Sequence, residues 1–375
     1  MNKFQSGRLV DQRTYRSFSP TPLDRPWQID DMGLIQLLGE AERELGRLDM
    51  FSDYVPNVDL YIRMHVIKEA TQSSRIEGTR TNIAEALQER EEIALDRRDD
   101  WEEVQNYVTA MNEAVARLPE LPLSSRLIRD THRTLLQGVR GRHKQPGEFR
   151  LSQNWIGGAT IDDAVFVPPL HTEIPDLIAD IERFVHNEAY RLPDLVKIAL
   201  VHYQFETIHP FLDGNGRVGR LLITLYLVSK GILKRPVLYL SDFFERNRVL
   251  YYDNLMRVRE RNDLMQWLKF FLVGVIETAR GGVATFDAIL RLQRETDTQI
   301  ATLGSRATKA RKVIDYLYGQ PLADAARLGA AAELSPASTY KLVADLERLG
   351  ILKETTGGKR GKTYAFAQYL GLFQS

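Results

Sequence analysis

The sequence has no cysteine, no net charge and no long apolar run. Without cysteine the 375 residues can form neither disulfides nor thiolate metal sites, which suits the cytoplasm. Its 50 basic and 50 acidic residues cancel, so any basic site for nucleic acid must be local. No stretch approaches the roughly 20 apolar residues that span a bilayer, and the first residues lack the apolar region of a signal peptide. We therefore expect a cytoplasmic protein that does not bind membranes.

The apolar residues follow mostly helical spacing, which predicts a mainly α protein. Asp31 is placed to cap the first helix. The length allows about two or three domains. Helices are predicted at 31–45, 57–76, 101–118, 124–136, 172–185, 194–208, 218–228, 242–259 and 263–303.

Residues 153–169 break this helical pattern. Trp155 and Ile156 precede Gly157 and Gly158, and a second apolar stretch follows at 165–167. Two apolar stretches around glycines and polar turn residues predict a β-hairpin.

The densest group of polar residues is HPFLDGNGRVGR, residues 209–220. His209 can take up a proton near neutral pH, and Asp213 offers hard oxygen to Mg²⁺. Gly214, Asn215 and Gly216 can turn backbone N–H groups toward an anion. Arg217 and Arg220 supply fixed positive charge for the same anion. Because the helical pattern resumes directly afterwards, the loop opens a helix whose positive end faces the same anion. The run predicts a site for a phosphorylated substrate.

Two other interpretations of this run are weaker. Gly214, Gly216 and Gly219 fit the dinucleotide-binding pattern, but that pattern requires a preceding strand and a βαβ unit, whereas a helix at 194–208 precedes them. A glycine-rich connection without chemistry leaves the clustered polar residues unexplained. His202 lies on the apolar face of the preceding helix, which predicts a core histidine.

Residues 73–78, SSRIEG, place Glu77 at the end of a predicted helix, with Gly78 as its C-terminal cap. A carboxylate there opposes the helix dipole at a cost of about 0.3–1 kcal/mol. Its charge is therefore expected to have a partner elsewhere.

The run at 209–220 resembles the signature of the Fic family, HxFx(D/E)GNGRxxR, and meets every specified position. The resemblance implies a Fic helical bundle that transfers AMP from Mg·ATP to a hydroxyl side chain of a target protein. It makes His209 the general base and Asp213 the ligand of Mg²⁺. It makes Gly214, Asn215 and Gly216 the anion-binding turn, with Arg217 and Arg220 on the phosphates of ATP. Gly219 falls at a variable position of the signature.

Other segments resemble further parts of the family. The hairpin at 153–169, preceded by GEFR at 147–150, resembles the flap whose edge pairs with the backbone of the target. A purely structural hairpin is the alternative. On this resemblance Ile156 and Gly157 contact the nucleotide, and Tyr251 lines the adenine pocket; a core tyrosine is the alternative for Tyr251.

SSRIEG matches the inhibitory motif (S/T)xxxE(G/N) of certain Fic proteins. The resemblance implies that Glu77 pairs with Arg220, so that ATP would bind with its α-phosphate misplaced, and that Ser73 braces Glu77. The alternative is a plain surface carboxylate.

The last 70 residues or so form a separate pattern of helices and a terminal hairpin that resembles a winged-helix domain. Ser335 and Pro336 open its last long helix, and strands are predicted at 351–354 and 363–366. Basic side chains could contact DNA phosphates, namely Lys341, Arg348, Lys359, Arg360 and Lys362. Asp345 and Glu347 oppose phosphate, so DNA binding and protein docking are both open.

Together these features predict an N-terminal helical region at 1–100 with the inhibitory motif, a Fic core at 101–303 and a winged helix at 304–375. The expected function is autoinhibited protein adenylylation, of a target bound through the flap and of the protein itself. The alternatives are a DNA-binding regulator whose core only senses nucleotide, transfer of another nucleotide, or removal of AMP. A homodimer is compatible with all of these.

Overall fold

The structure is a computed structural model that describes residues 4–54, 58–138, 142–357 and 361–373. As predicted, it is mainly α. The helices of the first 301 residues are α1 (Met32–Tyr54), α2 (Val58–Ile76), α3 (Ile83–Ala86), α4 (Arg98–Arg117), α5 (Ser125–Leu135), α6 (Ile174–His186), α7 (Asp194–Ile208), α8 (Asn215–Ser229), α9 (Ser241–Arg246), α10 (Arg248–Arg261) and α11 (Leu264–Ala301).

Helices α7 and α8 lie at the centre of the core. Almost every residue of α7 is buried, and Trp267 of α11 donates from its indole nitrogen to Ala199 O of α7 at 2.9 Å. The long helix α11 packs along α1, whose start is capped by Asp31 through a 2.7 Å bond from Leu34 N–H, as predicted. The loop between α7 and α8 is thus held at both ends by buried helices. Within the described residues, no helix has the length and apolar character needed to cross a membrane.

The single helix predicted over 242–259 is wrong, because the segment divides into α9 and α10 at Asn247. The Asn247 backbone leaves helical geometry (φ −113°, ψ 32°), and its amide donates to Phe243 O at 2.9 Å. A side chain that bonds to nearby backbone in this way competes with the helical pattern.

The predicted hairpin at 153–169 is reduced to one antiparallel bridge, between Ile156 and Phe166. Gly157 and Gly158 both have positive φ and turn the chain away immediately after Ile156. On the return side, Pro168 and Pro169 have no N–H to extend a ladder. The segment is a loop closed by one bridge, and we call it the flap.

A hairpin that the sequence analysis did not predict supports the flap. Strands β1 (Gly7–Asp11) and β2 (Arg16–Pro20) pair antiparallel, with Leu9 opposite Phe18. Phe18 N–H donates to Val167 O of the flap at 2.9 Å.

The C-terminal region contains α12 (Ala307–Gly319), β3 (Leu322–Asp324), α13 (Ala325–Ala332), α14 (Pro336–Arg348), β4 (Lys353–Glu354), β5 (Thr363–Ala365) and α15 (Ala367–Gly371). The predicted terminal strands pair, and β3 joins them in an antiparallel sheet of order β3-β5-β4. This element order is compatible with the winged-helix prediction.

The C-terminal region packs against α2. Tyr61 of α2 lies with its ring centre 5.2 Å from that of Tyr318 and 6.1 Å from that of Tyr369. The predicted phosphate contacts Lys359 and Arg360 lie outside the described residues, and Arg348 pairs with Asp345 at 2.6 Å.

Candidate functional site

The catalytic histidine predicted from the sequence, His209, lies at the C-terminal end of α7 in a left-handed conformation (φ 49°, ψ 60°). Its carbonyl oxygen accepts hydrogen bonds from Arg150 Nε at 3.0 Å and Asn154 Nδ2 at 3.3 Å. Burial, together with the Arg259 and Arg150 guanidiniums, lowers the pKa of His209 to about 4 against an opposing effect of Glu77. The imidazole is therefore neutral at pH 7 and can accept a proton.

The loop after His209 is fixed by its own side chains. The side-chain amide of Asn215 accepts from Phe211 N–H at 2.8 Å and donates to Phe211 O at 2.9 Å. These two hydrogen bonds hold the loop in place. Gly214 has φ +73° and precedes α8 directly. The first N–H groups of a helix have no acceptor within it, and the helix dipole is positive at this end. The start of α8 can therefore receive an anion.

Asp213 is half-exposed at this loop. Its Oδ1 accepts from Gly214 N–H at 2.6 Å and lies 3.5 Å from Arg217 Nη2. In the described part of the chain, no cluster of three or more acidic or histidine side chains could hold a metal by itself. Mg²⁺ commonly binds through one or two carboxylates plus substrate phosphates and water, so Asp213 is a suitable protein ligand for it.

Both arginines predicted to bind phosphate have carboxylate partners. Arg217 donates to Glu103 of α4 at 3.0 Å, a partner that the sequence analysis missed. Arg220 donates to Glu77 Oε1 at 2.7 Å, the pairing that the resemblance implied. Burial and Arg220 act oppositely on the pKa of Glu77, and the net effect lowers it, so Glu77 is ionised.

The expected role of Ser73 as a brace for Glu77 is wrong. Its hydroxyl accepts from Arg220 Nε and its carbonyl from Arg220 Nη2, each at 2.9 Å. Ser73 therefore holds the arginine rather than the carboxylate. Gly78 ends the helix with φ +102°, as expected of a C-terminal cap.

Gly216 is the point of closest approach between the loop and the inhibitory motif. A Cβ added there would lie 2.3 Å from Glu77 Oε1 and 2.9 Å from Arg220 Nη1. Only glycine leaves room for this carboxylate against α8.

Tyr251 lies in the core, only 1% exposed, with its ring centre 4.5 Å from that of Phe244. Its hydroxyl is 2.9 Å from His202 Nε2, and His202 Nδ1 is 2.9 Å from Gly219 O. Since the carbonyl can only accept, His202 is protonated on Nδ1 and accepts from Tyr251. His202 is a core histidine, as predicted, and burial lowers its pKa to about 3.

Ile156 and Gly157, the predicted nucleotide contacts of the flap, stand at its single bridge. Ile156 N–H donates to Phe166 O at 2.8 Å. On the same loop Trp155 and Val165 are 40% and 63% exposed, so apolar surface is available there.

Two family models match the chain. The model of the Fic/DOC family N-terminal region matches residues 35–116, and that of the Fic/DOC family matches residues 122–227. Together they span half of the chain. The chain belongs to the Fic/DOC family.

Curated relatives match over shorter stretches. A probable protein adenylyltransferase of Aquifex aeolicus (strain VF5) is 33% identical over 156 residues, which are 40% of this chain and 44% of that protein. The protein adenylyltransferase Fic of Drosophila grimshawi is 29% identical over 203 residues, 52% of this chain and 38% of that protein. This chain thus spans less than half the length of these relatives.

Solved structures share the fold. A Fic family protein from Desulfovibrio desulfuricans G20 has a TM-score of 0.60 at 21% identity, covering 91% of this chain and 98% of that one. A Fic domain containing signaling protein from Bacteroides thetaiotaomicron VPI-5482 has a TM-score of 0.53 at 20% identity, covering 68% and 96%. The predicted Fic fold class is confirmed.

His132 is a residue of the Fic site that sequence reasoning missed. Gly147 N–H donates to its Nδ1 at 2.8 Å, so its Nε2 donates to Asp213 O at 3.0 Å. Its ring stacks on Phe211 at 3.7 Å. His132 thereby joins α5 to the loop between α7 and α8; a histidine inside a strongly amphipathic helix was the available signal.

Glu206, one helical turn before His209, is a second residue that was missed. Burial raises its pKa to about 7, and within the described residues Oε1 has no hydrogen-bond partner. A Cβ on Gly219 would lie 2.2 Å from this oxygen. Gly219, at a variable position of the Fic signature, is therefore required by packing.

Proposed function

We propose that this Fic protein transfers AMP from Mg·ATP to a hydroxyl side chain of a target protein and of its own chain, and that Glu77 restrains the reaction. The observation that carries the proposal is a neutral His209 beside a half-exposed Asp213 and a helix start suited to phosphate. The relatives from Aquifex aeolicus and Drosophila grimshawi, which bear the name adenylyltransferase, support AMP as the transferred group.

In this mechanism, His209 removes the proton of the target hydroxyl as its oxygen attacks the α-phosphorus of ATP. The bond from the α-phosphorus to its bridging oxygen breaks, and pyrophosphate leaves. A base must be deprotonated before it can act, and the lowered pKa keeps His209 in that state. Bound through Asp213, Mg²⁺ would neutralise phosphate charge. The N–H groups at the start of α8 would orient the phosphates.

The reaction is restrained because Arg220 already has hydrogen-bond partners. Its guanidinium is already engaged by Glu77 and Ser73, so it is not available to the γ-phosphate. An error of about 1 Å in the position of a reacting atom can cost on the order of 10²-fold in rate. Because in-line attack depends on where the phosphates are held, ATP without the Arg220 contact is placed unproductively.

The flap is the proposed docking place for the target segment. Exposed main-chain edges bind extended peptides with limited dependence on sequence, and exposed Trp155 and Val165 add apolar contact. Such a site presents a Ser, Thr or Tyr hydroxyl without selecting among the three.

The test is mass spectrometry of the intact protein, wild type and Glu77→Gly, after incubation with Mg·ATP. We expect the mass of one or more adenylyl groups on hydroxyl residues, mainly in Glu77→Gly. An ATP analogue with a methylene group between the α- and β-phosphorus is the matched control, since it cannot release pyrophosphate. Parallel reactions with Mg·GTP and Mg·UTP test transfer of another nucleotide. An unmodified protein in every reaction, with casein or histone as added acceptor also unmodified, would reject the proposal.

A further inference from the structure

Two buried arginines outside the signature, Arg150 and Arg259, flank the catalytic loop. They are 1% and 9% exposed. Within the described residues their hydrogen bonds all go to neutral acceptors rather than to carboxylates. A buried charge without an acidic partner is costly unless hydrogen bonds replace its hydration. The arrangement of these acceptors therefore bears on the function of both residues.

Most of the acceptors lie at the C-terminal end of α7. Arg150 donates to Ile208 O at 3.4 Å and His209 O at 3.0 Å. Arg259 donates to Glu206 O at 3.0 Å and to the Thr207 hydroxyl at 3.1 Å. The last carbonyls of a helix lack donors within it and form the negative end of its dipole. The two guanidiniums thus donate hydrogen bonds to acceptors at the end of α7, from which His209 projects.

His209 needs such support, because a left-handed backbone is unfavourable for a residue with a side chain. It persists only where the surroundings fix it. The Arg150 side chain bonds to His209 O, and its backbone N–H donates to Pro210 O at 2.9 Å. Arg150 therefore holds the chain on both sides of the turn at His209.

The same two arginines hold the flap. Arg150 Nη1 donates to Ser152 O at 3.0 Å and Nη2 to Pro169 O at 2.6 Å, at the two ends of the flap. The Arg259 guanidinium carbon lies 4.0 Å from the centre of the Phe166 ring. Phe166 is one partner of the single bridge, so the base and the bridge of the flap are each tied to α7 by one arginine.

We propose that Arg150 and Arg259 are positioning residues that clamp the flap to the end of α7, fixing the distance between the docked target segment and His209. This proposal rests on the proposed function, since it names the residues that align its two halves. Neither arginine touches the reacting atoms in this arrangement. Each acts through His209 and the flap.

The charges around His209 support the same assignment. The groups that face it are Arg259 from α10, Arg150 from the segment before the flap, Glu77 from the end of α2 and the backbone of Glu206 from α7. Burial and both arginines lower the pKa of His209, whereas Glu77 raises it. Lysine at either position would keep the charge but lose the planar fork that reaches several carbonyls. Methionine would lose both.

The test compares Arg150→Lys, Arg150→Met, Arg259→Lys and Arg259→Met in the full chain, with exposed Arg257→Met of the same helix as control. NMR titration measures the pKa of His209, whose signal is identified as the one missing from the spectrum of His209→Ala. The rate of amide hydrogen exchange at Ile156 and Phe166 measures the stability of the bridge. Transfer in a Glu77→Gly background gives kcat and the KM for ATP.

We expect both methionine variants to raise the pKa of His209, with the larger rise in Arg259→Met. The lysine variants should leave it near the wild-type value. In all four variants the amides of the bridge should exchange faster. Their kcat should fall by about 10²-fold, with the KM for ATP little changed. Arg257→Met should match the wild type in each measurement. A folded Arg259→Met with wild-type titration and exchange would overturn the proposal; if Arg150→Met does not fold, the Arg259 pair still decides it. Absence of transfer in every protein would reject the proposed function alone, because titration and exchange do not depend on it.

Discussion

Arg220 donates a 2.7 Å hydrogen bond to Glu77, a residue 143 positions earlier in the chain. The bond joins the last helix turn of the signature to the end of α2, and Arg220 is almost completely buried there. The Glu77 side chain is 34% exposed, so of the two partners it is the one that can move into solvent.

Replacing Glu77 tests this restraint. Glu77→Gly should free Arg220 for the γ-phosphate, and modification of the protein itself and of added acceptors should rise strongly. Glu77→Gln, which keeps a hydrogen-bond acceptor without charge, should give an intermediate rate. Rates of AMP incorporation measure both. Arg220→Ala should abolish the gain in the Glu77→Gly background, because the two residues act as one unit. Flat activity in Glu77→Gly would mean that residues 73–78 only end a helix, and the role of His209 would survive.

Removing the base should separate chemistry from binding. His209→Ala in the Glu77→Gly background should lower transfer by about 10²–10⁴-fold, the usual contribution of a general base. The affinity for Mg·ATP, measured by calorimetry, should stay nearly unchanged, because the proposed phosphate contacts come from the loop after His209 and from α8. Unchanged transfer would remove His209 from the mechanism.

Four histidines with lowered pKa values predict a loss of stability in weak acid. Burial lowers the pKa of His65, His132 and His209 to about 4 and of His202 to about 3, from 6.5 in the unfolded chain. Between these values only the unfolded chain binds the protons. The free energy of unfolding should therefore be highest above pH 6.5 and fall towards pH 4, by about 1.4 kcal/mol per pH unit for each histidine.

Glu206 acts in the opposite direction. Its pKa is raised from 4.5 to about 7 by burial, so its contribution to stability is present below pH 4.5 and is lost as the pH rises to 7. Urea unfolding across this range should show the histidine effect, and Glu206→Gln should make the acid loss steeper. Stability independent of pH below 6.5 would contradict the lowered pKa values of the four histidines.

Gly219 and Gly46 form a matched pair of helical glycines. A Cβ on Gly219 would lie 2.2 Å from Glu206 Oε1, whereas one on Gly46 would meet nothing within 4 Å among the described residues. Gly219→Ala should lower the free energy of unfolding by about 1–3 kcal/mol, and Gly46→Ala should raise it by about 0.5–1 kcal/mol. Equal effects in denaturant unfolding would contradict the packing at Gly219.

The C-terminal region is predicted to bind duplex DNA through phosphates if its winged-helix pattern serves that function. The full chain should then shift a duplex with affinity that falls steeply as salt rises. Lys341→Ala and Lys362→Ala should each lower the slope of log affinity against log salt by about 0.9, and Arg257→Ala on α10 should not. No binding at low salt would favour protein docking by this region.

Features that depend on neighbouring residues could be predicted from the order of amino acids alone. A base, a carboxylate and an anion-binding helix start were predicted from the twelve residues 209–220. The cap residues Asp31 and Gly78 were predicted because capping is decided within one helical turn. The mainly α fold could be predicted from helical periodicity, because this pattern also depends on residues that are near in sequence. The pairing of Glu77 with Arg220 was predicted through the resemblance of residues 73–78 to the inhibitory motif.

Which distant groups share the site depends on how the helices pack together. Arg217 meets Glu103 across 114 positions, and Arg220 meets Ser73 across 147. Arg150 and Arg259 converge on α7 from different segments. No local spacing encodes such contacts, because they result from how amphipathic helices bury their apolar faces against each other. The reduction of the flap to one bridge follows from its own glycines and prolines. Tertiary packing supplied β2 as the neighbour of the flap.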